Sequence, residues 1–114
     1  MTVTAPQPIR SGIPRIPLVK IELDRDLDIT TLHMLFGQIT EALSVRPEIL
    51  AIDFSACRYI DAQAIRVLLD ARKLAWQQGG RLLLRNCHPD TIRLLAMAGV
   101  LRVFDIEPAR EVRT

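Results

Sequence analysis

The spacing of apolar residues along the first half of the chain alternates between a period of two and a helical period. The stretch 18–23 ends in a regular alternation of apolar and polar residues, which predicts a half-buried strand. One helical face follows, with apolar residues spaced at i, i+3, i+4, i+7 and i+11. Its members are Leu32, Leu35, Phe36, Ile39 and Leu43. Asp28 or Thr30 is the predicted N-cap of this helix.

The middle of the chain predicts a buried strand and a second helix. The near-continuous apolar run 49–54 is typical of a central strand covered on both faces. Asp61 is a good N-cap for a helix from about Ala62 to Gln78, and the glycine pair 79–80 ends that helix. The residues predicted on its buried side are Ile65, Leu68, Leu69 and Trp76.

A third strand, a third helix and a last strand complete the pattern. The strand is predicted over 81–85, the helix opens at His88-Pro89-Asp90 and closes at Gly99, and the last strand covers 103–106. The helix is predicted to pack through Ile92, Leu94, Leu95 and Ala98. This order predicts an α/β fold with three main helices on a mostly parallel sheet of about four to five strands. Functional groups in such sheets collect at the carboxyl ends of the strands, which here are 24–30, 55–61 and 86–89.

Length and proline content set the predicted domain boundaries. A chain of 114 residues fits one domain. Four of its seven prolines fall within 6–17, where they disfavour a central strand. We therefore expect a flexible N-terminal tail over 1–12, one domain over 13–106 and a C-terminal tail over 107–114. Residues 13–16 could still form a short edge strand at the start of the domain.

Composition and charge exclude several classes of function. Hydrophobic residues make up 49% and charged residues 25% of the chain, which is ordinary for a globular domain. The net charge of +2 is spread along the chain without a basic stripe or aromatic platforms, so we expect no nucleic-acid partner. No apolar run approaches the roughly 18 residues of a membrane span. The first residues carry no basic stretch followed by an apolar stretch, so we expect no signal peptide. We expect a cytoplasmic protein that does not insert into a membrane.

The segments at the strand ends also carry a family resemblance. The run 50–55 followed by Tyr59-Ile60-Asp61 resembles the strand and turn of STAS domains, the group named for sulphate transporters and anti-sigma-factor antagonists. The glycine pair with strand 79–84, the stretch 89–104 and the segment 27–30 are similar to later and earlier parts of the same family pattern. The resemblance covers 18–106 and implies a STAS-like fold.

The resemblance implies a regulatory function. Bacterial antagonists of this family bind an ATP-using anti-sigma kinase, and phosphorylation of a Ser or Thr just after the turn Asp releases them. This chain departs from the family there, since the usual Asp-Ser-x-Gly reads Asp61-Ala62-Gln63-Ala64. Ala62 stands at the phospho-acceptor position and has no hydroxyl, so we expect no phosphorylation switch there. Ser55 is a weaker substitute acceptor, because a turn residue that bonds nearby backbone explains it better.

The implied partner is an ATP-binding anti-sigma factor or serine kinase. The predicted partner-binding residues are Asp28, Thr30, Tyr59, Asp61, Ala62, Gln63 and Arg66. Two alternatives stay open. Stand-alone STAS proteins also resemble accessory subunits of lipid-transport ABC ATPases, and the carboxyl edge of the sheet suits a small ligand or nucleotide. The sequence also leaves self-association open.

Enzymatic and metal functions are not expected. The sequence has no glycine-rich phosphate loop, nucleophile elbow or two-cysteine metal motif, so we predict neither catalysis nor a cofactor. Cys57 and Cys87 follow two different strands and are predicted as free thiols, because a third or fourth metal ligand at suitable spacing is not evident.

Overall fold

The computed structural model describes residues 15–109. Within that range the chain forms four strands, three α-helices and one short 3-10 helix. In chain order they are β1 (Leu18–Glu22), α1 (Leu32–Ser44), β2 (Ile49–Asp53), α2 (Ala62–Gln77), β3 (Arg81–Cys87), α3 (Pro89–Met97), the 3-10 helix Leu101–Val103, and β4 (Asp105–Pro108). The α/β prediction with three helices and a parallel sheet is confirmed.

The four strands are all parallel and lie in the order β1-β2-β3-β4. Right-handed crossovers between consecutive neighbours place all the helices on the same face of the sheet. On that face Ile21, Ile52, Leu84 and Ile106 share one row, and they pack into the hydrophobic core. The opposite face is lined by charged side chains that pair across strands, such as Arg81 with Asp105 at 2.7 Å.

The central position predicted for β2 is confirmed. Leu50, Ala51 and Ile52 have no exposed surface, so both sides of this strand are covered. The half-buried strand predicted from 18–23 forms β1 at the edge of the sheet, where Ile21 is buried and Glu22 is exposed. The periodicity therefore separated the central strand from the edge strand correctly.

Three side chains predicted to be buried are exposed. Phe36 keeps 60% of its surface exposed and Trp76 keeps 71%, and Ala98 is the exposed C-cap of α3. α1 and α2 contact the sheet from only one side, so the buried stripe is narrower than the apolar stripe in the sequence. The other predicted packing positions of α1 and α2, such as Leu35 and Leu68, belong to the core.

The C-terminal ends of α2 and α3 follow the prediction, and the last strand is displaced from it. Gly79 and Gly99 adopt positive φ angles of 82° and 77°, as expected of residues that end a helix. The last strand is shifted by two residues from the predicted 103–106, because the 3-10 helix takes up Val103 and β4 covers Asp105–Pro108. Of the possible edge strand 13–16, residues 15 and 16 belong to no strand, although the Ile16 carbonyl accepts the Glu48 amide at 2.8 Å. Residues 13–14, the predicted tail 1–12 and residues 110–114 lie outside the described residues.

Candidate functional site

Two loops at the carboxyl edge of the sheet are joined by an isolated parallel bridge between Leu27 and Ile60. The Leu27 amide donates to the carbonyl of Tyr59 at 3.0 Å, and the Asp61 amide donates to the carbonyl of Leu27 at 3.2 Å. Leu27 and Ile60 are themselves buried, which fixes both loops to the core. The bridge therefore brings together the loops that carry Asp28 and Asp61, which lie far apart in the sequence.

Asp26 adds a second connection between the same loops. One oxygen of its carboxylate accepts hydrogen bonds from the Arg58 amide at 2.9 Å and the Tyr59 amide at 3.2 Å. Charged acceptors make stronger hydrogen bonds to backbone amides than neutral ones do. Asp26 thus positions the backbone that presents Tyr59, a role that the sequence analysis missed.

A buried threonine holds the same loop from the α3 side. Thr91 has no exposed surface, and its hydroxyl donates to the carbonyl of Arg58 at 2.9 Å. The Arg58 side chain in turn contacts the Asp90 carboxylate at 3.3 Å at the start of α3. His88 caps α3, because its Nδ1 atom accepts a hydrogen bond from the Asp90 amide at 3.0 Å. This agrees with the predicted start of the helix at His88.

The first loop is closed by Asp28, but neither Asp28 nor Thr30, the two predicted N-caps, caps α1. Its carboxylate accepts from the Thr30 hydroxyl at 2.6 Å and from the Thr30 amide at 2.9 Å. The N-cap of α1 is Thr31, whose side chain makes no capping bond and instead donates to the carbonyl of Asp26 at 3.1 Å. The hydrogen bond from the Thr30 hydroxyl lowers the pKa of this half-buried carboxylate, because it stabilises the charged form.

The start of α2 confirms the predicted cap. The Asp61 carboxylate accepts the Ala64 amide at 2.8 Å, which satisfies one of the free amides at the helix N-terminus. Ala62 is the first residue of the helix and is exposed, and Ala64 is fully buried. Because position 64 is fully buried, a small side chain such as that of alanine fits there. The exposed position 62 therefore presents a methyl group to solvent beside the Asp61 carboxylate.

The predicted site residues lie in the two loops that the Leu27–Ile60 bridge joins and on the first turns of α2, and we call this set of residues the candidate surface. It comprises Asp28, Thr30, Tyr59, Asp61, Ala62, Gln63 and Arg66, together with Ile29. Tyr59 is 49% exposed and Ile29 is 72% exposed, so the area has two apolar anchors. Ile29 was missed by the sequence analysis, because helical periodicity does not distinguish an exposed loop isoleucine from a buried one. Apolar anchors surrounded by polar residues are typical of a surface that binds protein.

The remaining predicted features near this edge offer little chemistry. Cys57 and Cys87 are buried free thiols, and burial raises the pKa of Cys57 to about 11 and that of Cys87 to about 12. Within residues 15–109 no group of three or more His, Cys, Asp or Glu side chains is arranged to hold a metal ion. Ser55 is exposed, and its amide donates to the Asp53 carboxylate at 2.8 Å, as a turn residue does.

A cavity at the carboxyl end of β1 is too small for a nucleotide. It holds about 100 Å³ and is lined in part by Asp24, Arg25 and Met34. Pockets that bury drug-sized ligands usually hold about 300–1,000 Å³. In the described part of the chain, no helix has the length and apolar character needed to cross a membrane.

Comparison with known proteins gives matches that agree with one another. A model of the STAS domain family matches residues 7–112. An anti-sigma F factor antagonist of Paenibacillus polymyxa is 29% identical over 87 residues, which cover 75% of this chain and 74% of the relative. A STAS-domain containing protein of Pseudomonas aeruginosa is 27% identical over 74 residues, which cover 65% of this chain and 73% of the relative.

The fold also matches a solved structure. A Thermotoga maritima protein, provisionally assigned as an anti-sigma factor antagonist, superposes with a TM-score of 0.70 at 17% sequence identity. The superposition covers 79% of this chain and 78% of the other. At this level of identity the likeness shows a shared fold.

Proposed function

Because this chain belongs to the STAS domain family, we propose that it is a regulatory interaction module of the anti-sigma-factor antagonist kind, which docks an ATP-binding anti-sigma factor through the candidate surface. The observation that carries this proposal is the bridge between Leu27 and Ile60, which joins the Asp28 loop to the start of α2. A chain 29% identical to an anti-sigma F factor antagonist supports the same class of partner. The proposed role is binding and not catalysis.

The make-up of the candidate surface suits docking onto a protein. Ile29 and Tyr59 supply apolar area that is exposed in the isolated chain, and Asp28 and Asp61 are carboxylates in fixed positions. Protein interfaces concentrate their binding energy in a few such anchors, and the surrounding polar residues exclude water. Gln63 and Arg66, exposed on the first turns of α2, are the proposed polar rim.

We further infer that this docking is not switched by phosphorylation at position 62. A phosphate would add nearly two negative charges beside the Asp61 carboxylate, which explains how a switch at this position would release a partner. Alanine has no oxygen to accept a phosphoryl group, so Ala62 leaves the surface permanently able to dock. Control of the interaction then rests on the amounts of the two proteins.

The absence of a hydroxyl at position 62 also favours a second candidate function. An accessory subunit of a lipid-transport ABC ATPase needs stable docking and no cycle of serine phosphorylation. Both candidates use the same kind of partner, an ATPase, and they differ in whether that partner binds a sigma factor or a membrane transporter. Titration of the chain with each class of ATPase from the same genome separates them.

The test is isothermal titration calorimetry with purified anti-sigma factor from the same genome. We expect Tyr59→Ser and Ile29→Ser each to weaken binding about tenfold or more, which corresponds to about 1.4 kcal/mol. Met97→Ser is the matched control, because Met97 is 77% exposed on α3 and outside the candidate surface, and it should leave affinity unchanged. If the anti-sigma factor does not bind the unmodified chain but a transporter ATPase does, the second candidate function replaces the first.

A further inference from the structure

α1 and α2 leave an apolar groove between them, separate from the candidate surface. The groove has a volume of about 350 Å³. Its apolar walls are Phe36, Ile39 and Leu43 from α1 and Val67, Ala71 and Leu74 from α2. Phe36 and Leu74 remain 60% and 48% exposed, so nothing within residues 15–109 covers them. Exposed apolar area of this kind is typical of a binding site.

Two polar features of the groove lack partners among the described residues. The Gln78 side chain lines one end of it, and its Oε1 atom is buried without a hydrogen-bond donor. Asp70 lines the α2 side, is exposed, and forms no ion pair within residues 15–109. An occupant with apolar side chains, an N–H donor and a positive charge would therefore complement the groove.

The described chain begins at the Gln78 end of this groove. The Arg15 guanidinium donates to the carbonyl of Arg46 at 3.0 Å, just beyond the end of α1. It also donates to the carbonyl of Pro47 at 3.0 Å and to that of Gly79, the residue after Gln78, at 3.3 Å. These bonds fix the point from which the preceding residues start, next to the groove opening.

The preceding 14 residues have the length and the composition that the groove requires. A stretch of that length reaches at most about 50 Å when extended, whereas the α2 side of the groove from Val67 to Gln78 is only about 16 Å long. The segment contains Val3, Ile9 and Ile13 as apolar side chains and Arg10 as a positive charge. Its three prolines reduce the conformational entropy that is lost on binding.

We propose that residues 1–14 bind in the α1–α2 groove of their own chain. The apolar side chains of the segment cover Phe36 and Leu74, its backbone supplies a donor to Gln78, and Arg10 lies close enough to pair with Asp70. The far end of the groove is at Val67, next to Arg66 of the candidate surface. The bound segment extends toward that surface, but its binding does not depend on the identity of the partner.

The test is paramagnetic relaxation enhancement measured in the 114-residue chain. Thr4→Cys is labelled with a nitroxide, and the two native cysteines stay unlabelled because both are fully buried and burial raises their pKa values to about 11 and about 12. We expect loss of the amide signals of Val67 and Leu74, and retention of that of Glu107 on the opposite face of the sheet. Retention of the groove signals, or broadening along β1 instead, overturns the proposal.

Two further samples separate this arrangement from its alternatives. Phe36→Ser combined with Leu74→Ser should restore the lost signals, and Trp76→Ser should not, because Trp76 is also an exposed apolar residue of α2 but does not line the groove. In a mixture of labelled chain with nitrogen-15 chain that lacks the introduced cysteine, we expect no broadening. Broadening in that mixture would show that the segment binds a second copy, which contradicts the proposal.

Discussion

The substitution Ala62→Asp separates the binding role of the candidate surface from its role in the fold. Ala62 is exposed at the first position of α2. A carboxylate at a helix N-terminus contributes about 0.3–1 kcal/mol through the helix dipole, while the lower helix propensity of Asp and repulsion from Asp61 oppose that gain by a similar amount. We therefore expect the free energy of unfolding to change by less than about 0.5 kcal/mol.

Binding should respond differently to the same substitution. The new carboxylate adds charge and volume beside Asp61 within the proposed contact, and a charge that is desolvated there without a partner weakens binding. Even a loss of about 1.4 kcal/mol lowers affinity tenfold. Titration calorimetry with the anti-sigma factor measures the affinity, and urea denaturation measures the stability.

Ala96→Asp is the matched control for Ala62→Asp. Ala96 is exposed on the last turn of α3, so this variant carries the same added charge outside the candidate surface. We expect it to bind as the unmodified chain does. Unchanged affinity of Ala62→Asp would remove this surface from the proposed interface, and a stability loss above about 1.5 kcal/mol would refute the exposed position assigned to Ala62.

Three further predictions concern single side chains. Thr91→Val leaves the Arg58 carbonyl without its donor and should lower the free energy of unfolding by about 1–3 kcal/mol, which is seen as a lower urea midpoint. As a control, Thr40→Val at an exposed position should change the free energy of unfolding by less than about 0.5 kcal/mol. Ala62→Ser should gain the mass of one phosphate with ATP and an anti-sigma kinase, and no gain with an active kinase would point to a partner of another type. Burial alone would raise the pKa of Asp53, but hydrogen bonds from Ser55 and Asn86 outweigh burial, so the fold lowers this pKa. The stability that the Asp53 carboxylate contributes is therefore complete above its ordinary pKa of about 3.9, and it is lost as the pH falls through the lower pKa of the folded state. Urea midpoints between about pH 3 and pH 6 should therefore fall less in Asp53→Asn than in the unmodified chain.

The sequence predicts those features of the site that depend on local chemistry. Asp61 is a cap because a carboxylate before a run of helix formers accepts a free amide, and the structure shows that bond. Asp28 precedes a helix in the same way, but its side chain bonds the nearer Thr30 instead. Both arrangements are local, and only their energies decide between them.

Features that depend on contacts between distant residues could not be predicted. Asp26 and Thr91 hold the Arg58 loop from positions more than 30 residues away along the chain. Nothing in the residues around either one signals that contact. The exposure of Phe36 and Trp76 has a similar origin, because periodicity shows that a helix has an apolar face but not how much of that face its neighbours cover.

The most direct measurement of the proposed function is an affinity capture from the organism that encodes the chain, with unmodified protein and Ala62→Asp as parallel baits. Bound proteins are identified by mass spectrometry with and without added ATP. We expect an ATP-binding anti-sigma factor on the unmodified bait and its depletion on the variant. Equal recovery on both baits, or recovery of a membrane transporter ATPase in its place, would contradict the proposed function.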